Sequence, residues 1–314
     1  MFALRMEPLR IVFLGTPEFA VPSLKILLAH QLNVVAVVTA PDKPQGRGQK
    51  IAFSPVKEVA VEHNIPVLQP TNLKSEEFRN SLKEFHADLQ VVVAFRMLPQ
   101  AIWSMPRLGT FNLHASLLPD YRGAAPINWA IINGEKETGV TTFFLKHEID
   151  TGSIIFQEKE TIDYQDTAGT LYERLMHKGA SLVLRTVQQI ASGKVESVPQ
   201  QEPAVIKHAP KIFKETCEIN WAQPAEKVRD FIRGLSPYPA AFTTIQGKHF
   251  KIYAAEVVTD EDENVPPGHV LTDNSEYLFF KTSDKLISVT EVQAEGKKKM
   301  SVRDFFRGNK IHAS

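Results

Sequence analysis

Three side chains in this sequence have the types and spacing to handle a carbonyl group. Asn112 and His114 stand two residues apart in the apolar run "FNLHASLLP" (111–119). In a strand, residues i and i+2 share one face, so the amide and the imidazole would stand side by side near the point where Pro119 ends the strand. Asp150 opens "DTGS", after the apolar stretch "VTTFFLK" (140–146), and Asp-Thr-Gly has turn chemistry. If the two stretches are neighbouring strands, Asp150 reaches His114, and the cluster combines an amide donor, an imidazole and a carboxylate that can orient or charge the imidazole.

No protein nucleophile accompanies them. There is no G-x-S-x-G elbow, Ser116 is linked to His114 by sequence adjacency alone, and the one cysteine, Cys217, has no catalytic motif around it. A metal site lacks a third clustered ligand and any H-x-x-x-H or C-x-x-C spacing. The chemistry that fits is one in which the substrate supplies the nucleophile. An amine attacks a carbonyl carbon, Asn112 and His114 hold the developing oxyanion, and His114 with Asp150 moves a proton to a leaving nitrogen; one oxyanion donor is typically worth on the order of 10²–10³ in rate. The competing reading keeps Asn112 and His114 as hydrogen-bonded interior groups and Asp150 as a turn residue.

The elements that must position these residues alternate between strand and helix. "RIVFLG" (10–15), "NVVAVVTA" (33–40) and "LQVVVAF" (89–95) are short apolar runs of the kind found in parallel strands covered on both faces. Helical patterns follow them: 17–30 with Pro22 near its first turn, 54–64 with Ser54 as N-cap and Pro55 after it, and 75–86. "GTFNLHAS" is a further strand, "APINWAIINGE" a helix ending near Gly134, "GVTTFFLKH" and "GSIIFQEKETI" sheet, and 167–193 a long amphipathic helix closed by Gly193. This order predicts an α/β fold with an open, mostly parallel Rossmann-like sheet over residues 1–197. "GTPEFA" (15–20) is not G-x-G-x-x-G, and a strand–turn–helix junction explains it as well as a phosphate site does. "VPQQEPAVIKHAPK" (198–211) carries three prolines and reads as a linker. Residues 212–314 hold a helix near 224–235 and several short strands, which predicts a second, smaller β-barrel (OB-like) domain.

Composition narrows the class. A length of 314 residues, 43% hydrophobic and 23% charged, suits two globular domains with substantial cores. Lys+Arg and Asp+Glu balance at 36 each, so a nucleic-acid surface would have to be local. The single cysteine, an N-terminus without a leader-like apolar core and the lack of any apolar run near 20 residues give the expectation of a cytoplasmic protein with no membrane association.

At these residues the sequence resembles the 10-formyltetrahydrofolate-dependent formyltransferases, most of all their tRNA-directed members. "GTPEFA", "PDKPQGRGQK" (41–50), "FNLHASLLPDYRGAAPINWAI" (111–131), "ETGVT" with "DTGSI" (137–154) and "GKKKMSVRDFF" (296–306) occur in the family's order over nearly the whole chain. The resemblance implies that Asn112, His114 and Asp150 form the catalytic trio. It also implies a folate site built from Phe95, Arg96, Met97 and Leu98, from Ser116, Leu117, Leu118 and Pro119, and from Glu148 and Ile149. Arg96 stands where some tRNA-directed members have glycine. The implied donor is 10-formyltetrahydrofolate, with no metal; the implied acceptor is initiator methionyl-tRNA, with no obligate protein partner. An amino-sugar nucleotide acceptor, or hydrolysis of the formyl donor, would use the same trio, and "NWAQPAE" (220–226) resembles the hydrolase modules. A non-catalytic RNA-binding protein with a small β-barrel is the alternative of a different class.

The stretch "PDKPQGRGQK" has its own physical reading. Pro41, Pro44, Gly46 and Gly48 argue against regular structure, and three cations (Lys43, Arg47, Lys50) against Asp42 leave a local charge of +2. Such a loop is either simply solvated or suited to a phosphate backbone. The resemblance assigns it to the tRNA acceptor end with Arg47 as the key basic residue. Lys297–Lys298–Lys299 form a second basic cluster, which taken alone is a hairpin or loop end kept soluble and is otherwise, with Lys211, a candidate tRNA contact of the second domain.

Overall fold

The computed structural model describes residues 8–45, 50–201, 204–259 and 265–311. The chain forms two compact units: Met1–Arg122 with Gly139–Glu160 and Glu173–Lys207, and Gly123–Thr138 with Thr161–Tyr172 and His208–Ser314.

In the first unit, β1 (Ile11–Gly15), α1 (Val21–Ala29) and β2 (Val34–Val38) lead to a small hairpin of β3 (Lys43–Gln45) and β4 (Lys50–Ala52). Then come α2 (Pro55–Glu62), β5 (Val67–Leu68), α3 (Glu76–Lys83), β6 (Leu89–Val93), α4 (Gln100–Trp103) and β7 (Thr110–His114). Ser54 and Ser75 cap α2 and α3 by accepting from the Lys57 and Phe78 amides. Next along the chain are β8 (Arg122–Gly123), α5 (Pro126–Ile132), β9 (Glu137–Phe144), β10 (Ile154–Thr161) and α6 (Ala168–Ala191), of which α5 and residues 168–172 of α6 fall in the second unit. The seven-stranded sheet runs β10-β9-β7-β6-β1-β2-β5. β1 is parallel to β2 and β6, β6 to β7, and β2 to β5, whereas β9 is antiparallel to β7. The chain steps from β1 out through β2 to β5 and returns on the other side of β1 at β6. That reversal is the place where open α/β sheets bind ligands, beyond the carboxyl ends of their strands. Residues of one sheet face and its helices, including Val12, Leu14, Ala36, Val38, Val92, Phe78, Leu82 and Ile102, form a fully apolar core. On α6, Gly179 lies against Leu113, and Thr186 is hydrogen-bonded to Thr142 of β9 at 2.9 Å.

The hairpin corrects the expectation that 41–50 has no regular structure: Lys43, Pro44 and Gln45 pair with Ala52, Ile51 and Lys50. In a two-stranded ribbon both strands are edges, so the missing N–H of Pro44 can fall on the outer side without breaking the ladder. Arg47 and the side chain of Lys50 lie outside the described residues.

In the second unit, β11 (His208–Ala209) and α7 (Ala225–Leu235) precede β12 (Ala241–Ile245), β13 (Lys248–Val258), β14 (Val270–Thr272), β15 (Leu278–Lys281), β16 (Leu286–Ala294), β17 (Met300–Ser301) and α8 (Val302–Phe306). The antiparallel order is β12-β13-β16-β15-β14, with β17 on β16. Register shifts between Ile252 and Ala255 curl the long β13, as a bulge does, giving the OB-like half its curved sheet. Val228, Ile232 and Leu235 of α7 share the core with Phe250, Ile252, Phe280, Ile287 and Val292, and Trp221 stacks on Phe280 at 4.1 Å. Among the described residues no helix is long and apolar enough to cross a membrane.

Candidate active site

Asn112 and His114 occupy one face of β7, at its carboxyl end, paired in register with Phe143 and Thr141 of β9. His114 is buried, 7% exposed. Its Nε2 lies 2.8 Å from the main-chain oxygen of Tyr121. A carbonyl oxygen can only accept, so Nε2 carries the hydrogen and the neutral ring has its lone pair on Nδ1. That nitrogen is 3.9 Å from Asp150 Oδ2. A proton taken up at Nδ1 therefore forms an ion pair with the carboxylate, while Nε2 keeps its bond to Tyr121. The Asn112 amide is partly open and has no hydrogen-bond partner among the described residues, which leaves its N–H groups available.

Asp150 reaches His114 because of its backbone. The turn that carries it follows β9, and Asp150 adopts φ +56°, in the left-handed region that aspartate tolerates better than most residues. Gly152 completes the turn at close range: a Cβ there would run into the Phe144 carbonyl oxygen, so Asp-Thr-Gly requires its glycine. Gln200 donates from Nε2 to the Asp150 and Gly152 oxygens at 2.7 and 2.9 Å, and Arg122 Nη2 donates to Gln200 Oε1 at 2.6 Å.

The stretch 116–119 is held from below. Ser116, fully buried, donates to the Asp120 oxygen at 2.7 Å, the contact of a turn-shaping residue. Thr141 donates to the Ser116 oxygen (2.6 Å) and accepts from the Leu118 amide (3.2 Å) and from Gln157 Nε2 (3.0 Å), which uses all three hydrogen-bonding positions of its hydroxyl. Gln157 also donates to the Leu118 oxygen at 2.9 Å. Leu118 is buried, while Leu117 and Pro119 are half-buried.

The chain leaves β6 through Ala94 at φ +47°. Phe95 and Leu98 then join the apolar core, whereas Met97 is 74% exposed. Arg96 is tied down rather than freely solvated: it donates to the Pro70 oxygen at 2.7 Å and the Thr71 oxygen at 3.4 Å, and its guanidinium lies 5.5 Å from the Phe95 ring centre. Glu148 and Ile149 are exposed.

Among the basic residues, Lys43 is exposed. The neighbouring Asp42, at the foot of the hairpin, is bound by Lys57 Nζ at 2.5 Å and Gln69 Nε2 at 2.8 Å. The Lys57 ammonium, helped by Gln69, holds the Asp42 carboxyl below the ordinary carboxylate range. In the second unit Lys297 and Lys298 are exposed. Lys299 pairs with Glu291 at 2.5 Å and lies 5.0 Å from the Tyr253 ring centre. Lys211 lines an open cavity of about 390 Å³ together with Lys214, Lys251, His249, Phe242 and Tyr238. Sequence reasoning missed the last five, which are scattered over 38 positions and share no motif. It also missed Thr141, Gln157 and Gln200, whose polar character was visible but whose partners come from distant parts of the chain. Among the described residues no group of three or more His, Cys, Asp or Glu could hold a metal.

Comparison with known proteins decides what this arrangement belongs to. A family model described as formyl transferase matches residues 9–187, and one described as formyl transferase, C-terminal domain, matches 211–310. The chain belongs to the formyl transferase family. Within that family it is 52% identical over 97% of its length, and 96% of the relative's, to a methionyl-tRNA formyltransferase of Bacteroides fragilis. Identity is 48% to the Flavobacterium johnsoniae protein of that name, over 96% of this chain and 97% of that one. The fold is shared with a Helicobacter canadensis N-formyltransferase solved with folinic acid and dTDP-3-aminofucose: TM-score 0.67, 21% identity, 90% of this chain and 99% of that one.

Proposed function

We propose that Asn112, His114 and Asp150 transfer the formyl group of 10-formyltetrahydrofolate to the α-amino group of methionyl initiator tRNA, for translation initiation. The chain is a formyl-group transferase with a folate-derived donor, and identity of about one half over nearly the full length of methionyl-tRNA formyltransferases carries the choice of acceptor.

The chemistry follows from the commitment of His114 Nε2 to Tyr121. The neutral amine attacks the formyl carbon, and Nδ1, the free base, takes the proton that the new C–N bond makes acidic. The resulting Nδ1–H and the unpartnered Asn112 amide both donate to the oxyanion. Asp150, 3.9 Å away, balances the imidazolium charge. When the tetrahedral adduct collapses, the bond to folate N10 breaks and the proton passes from Nδ1 to that nitrogen, through water where the distance requires it. The exposed Met97 and Ile149 give the flat pterin apolar contact, with the backbone of Phe95–Leu98 and of Leu117–Pro119 and Glu148 beside them.

Lys43, Arg47 and Lys50 are assigned to the tRNA backbone near its acceptor end, and Lys211 and Lys297–Lys299 to further tRNA contacts. Support for Lys211 comes from its cavity, where three lysines accompany Tyr238, 82% exposed, a combination suited to phosphate and an unstacked base. The test presents the purified protein and formyl donor with charged initiator tRNA, an amino-sugar nucleotide and water in separate reactions. Formylmethionyl-tRNA is the expected product; formylated sugar, or free formate alone, overturns the assignment.

A further inference from the structure

Residues 198–201 read as the start of a linker, yet the structure ties them into the catalytic cluster. Val198 exchanges backbone hydrogen bonds with Ile154 in both directions at 2.8 Å, which brings the strand after Asp150 beside this segment. Two residues on, the Gln200 side chain meets the turn itself. Its Nε2 donates to the carbonyls on either side of Thr151, those of Asp150 and Gly152. Its Oε1 accepts from Arg122 through Nη2 at 2.6 Å and Nε at 3.3 Å.

This chain of contacts has only one polarity. A guanidinium can only donate, so it fixes which end of the Gln200 amide is oxygen, and the NH₂ must then face the two carbonyls. Both N–H groups of that NH₂ are used. The turn they grip carries a non-glycine residue at φ +56°, a conformation that persists only when the surroundings impose it. The direction of the Asp150 carboxylate toward His114 Nδ1 depends on that backbone. Arg122 follows Tyr121, whose carbonyl holds the other nitrogen of His114, so one short stretch is linked to both partners of the His114–Asp150 pair.

We propose that Gln200 is a positioning residue for formyl transfer. Oriented by Arg122, it sets the Asp150 turn so that the carboxylate faces His114 Nδ1. The inference rests on the reading of Asp150 and His114 as catalytic partners, and it deepens that reading without adding a group that touches substrate.

The test is a double-mutant cycle on the full chain, with kcat and KM measured for formyl donor and charged initiator tRNA. Gln200→Ala is expected to lower kcat about tenfold, with both KM values within twofold of wild type, because a carboxylate shifted by a fraction of an ångström weakens the chemical step and not binding. Gln200→Glu keeps an acceptor for Arg122 but has no N–H for the two carbonyls, and it is expected to lose as much. In an Asp150→Ala background, Gln200→Ala should cost less than a further twofold. Wild-type kcat in Gln200→Glu, or a tenfold loss that persists in the Asp150→Ala background, overturns the proposal while leaving the catalytic trio standing. Wild-type turnover by Asp150→Ala overturns the trio and the proposal with it.

Discussion

Two stretches of the first unit carry residues assigned to the reaction and to the tRNA, and they are held in opposite ways. At the end of β7 nearly every polar atom has a partner inside the protein: His114 Nε2 has Tyr121, Ser116 has Asp120, and the 116–118 turn has Thr141 and Gln157. What stays open is the Asn112 amide and His114 Nδ1, the two groups a reacting carbonyl needs. At the 43–52 hairpin the described polar contacts to the rest of the protein gather at its foot, where Lys57 and Gln69 hold Asp42. A formyl carbon must be met within tenths of an ångström, whereas a phosphate backbone is met by charge over several ångströms. The two tasks call for different amounts of internal support.

Substitutions can break this contrast in order of effect. Asn112→Ala removes an open donor and should lower the single-turnover rate about 10²–10³-fold with the KM for tRNA unchanged; a rate within threefold of wild type would remove Asn112 from the oxyanion site. Thr141→Val keeps the shape but leaves one buried donor, the Leu118 amide, and one buried acceptor, the Ser116 oxygen, unmet, so a loss of about 2 kcal/mol and a melting temperature lower by several degrees are expected. Arg47→Ala should raise the KM for tRNA about tenfold, leave the folate KM unchanged and make the salt dependence of tRNA binding shallower by about one unit of log–log slope. An unchanged slope would place Arg47 away from phosphate.

The smallest effect is on pH. The Asp42 carboxyl titrates lower in the folded protein than in the unfolded chain, chiefly through Lys57. Its contribution is therefore complete above the ordinary carboxylate pKa and is lost as pH falls through the lowered one. Lys57→Met should shift the acid limb of tRNA KM, or of proteolysis at the hairpin, to higher pH while leaving kcat at neutral pH unchanged.

Much of the sheet was legible because each strand is short, apolar and bounded by turn residues, as in Ile11–Gly15 and Leu89–Val93. The pairing of Asn112 with His114 was legible from the period of a strand. Asp150 could be joined to them only on the condition that β7 and β9 are neighbours, which the antiparallel register supplies. The hairpin was missed because Pro44 and two glycines outweighed the pairing that an edge ribbon permits. Gln200 was missed because its function lies in hydrogen bonds to residues about fifty and eighty positions away. No local pattern records such bonds.

The proposed reaction turns on the imidazole of His114, which, with Nε2 fixed on Tyr121, performs the proton chemistry at Nδ1. The measurement is the single-turnover rate of formyl transfer by folded His114→Ala, with saturating 10-formyltetrahydrofolate and charged initiator tRNA. A fall of about 10³-fold or more is expected with both substrates still bound, and a rate within tenfold of wild type would remove the imidazole from the proton chemistry.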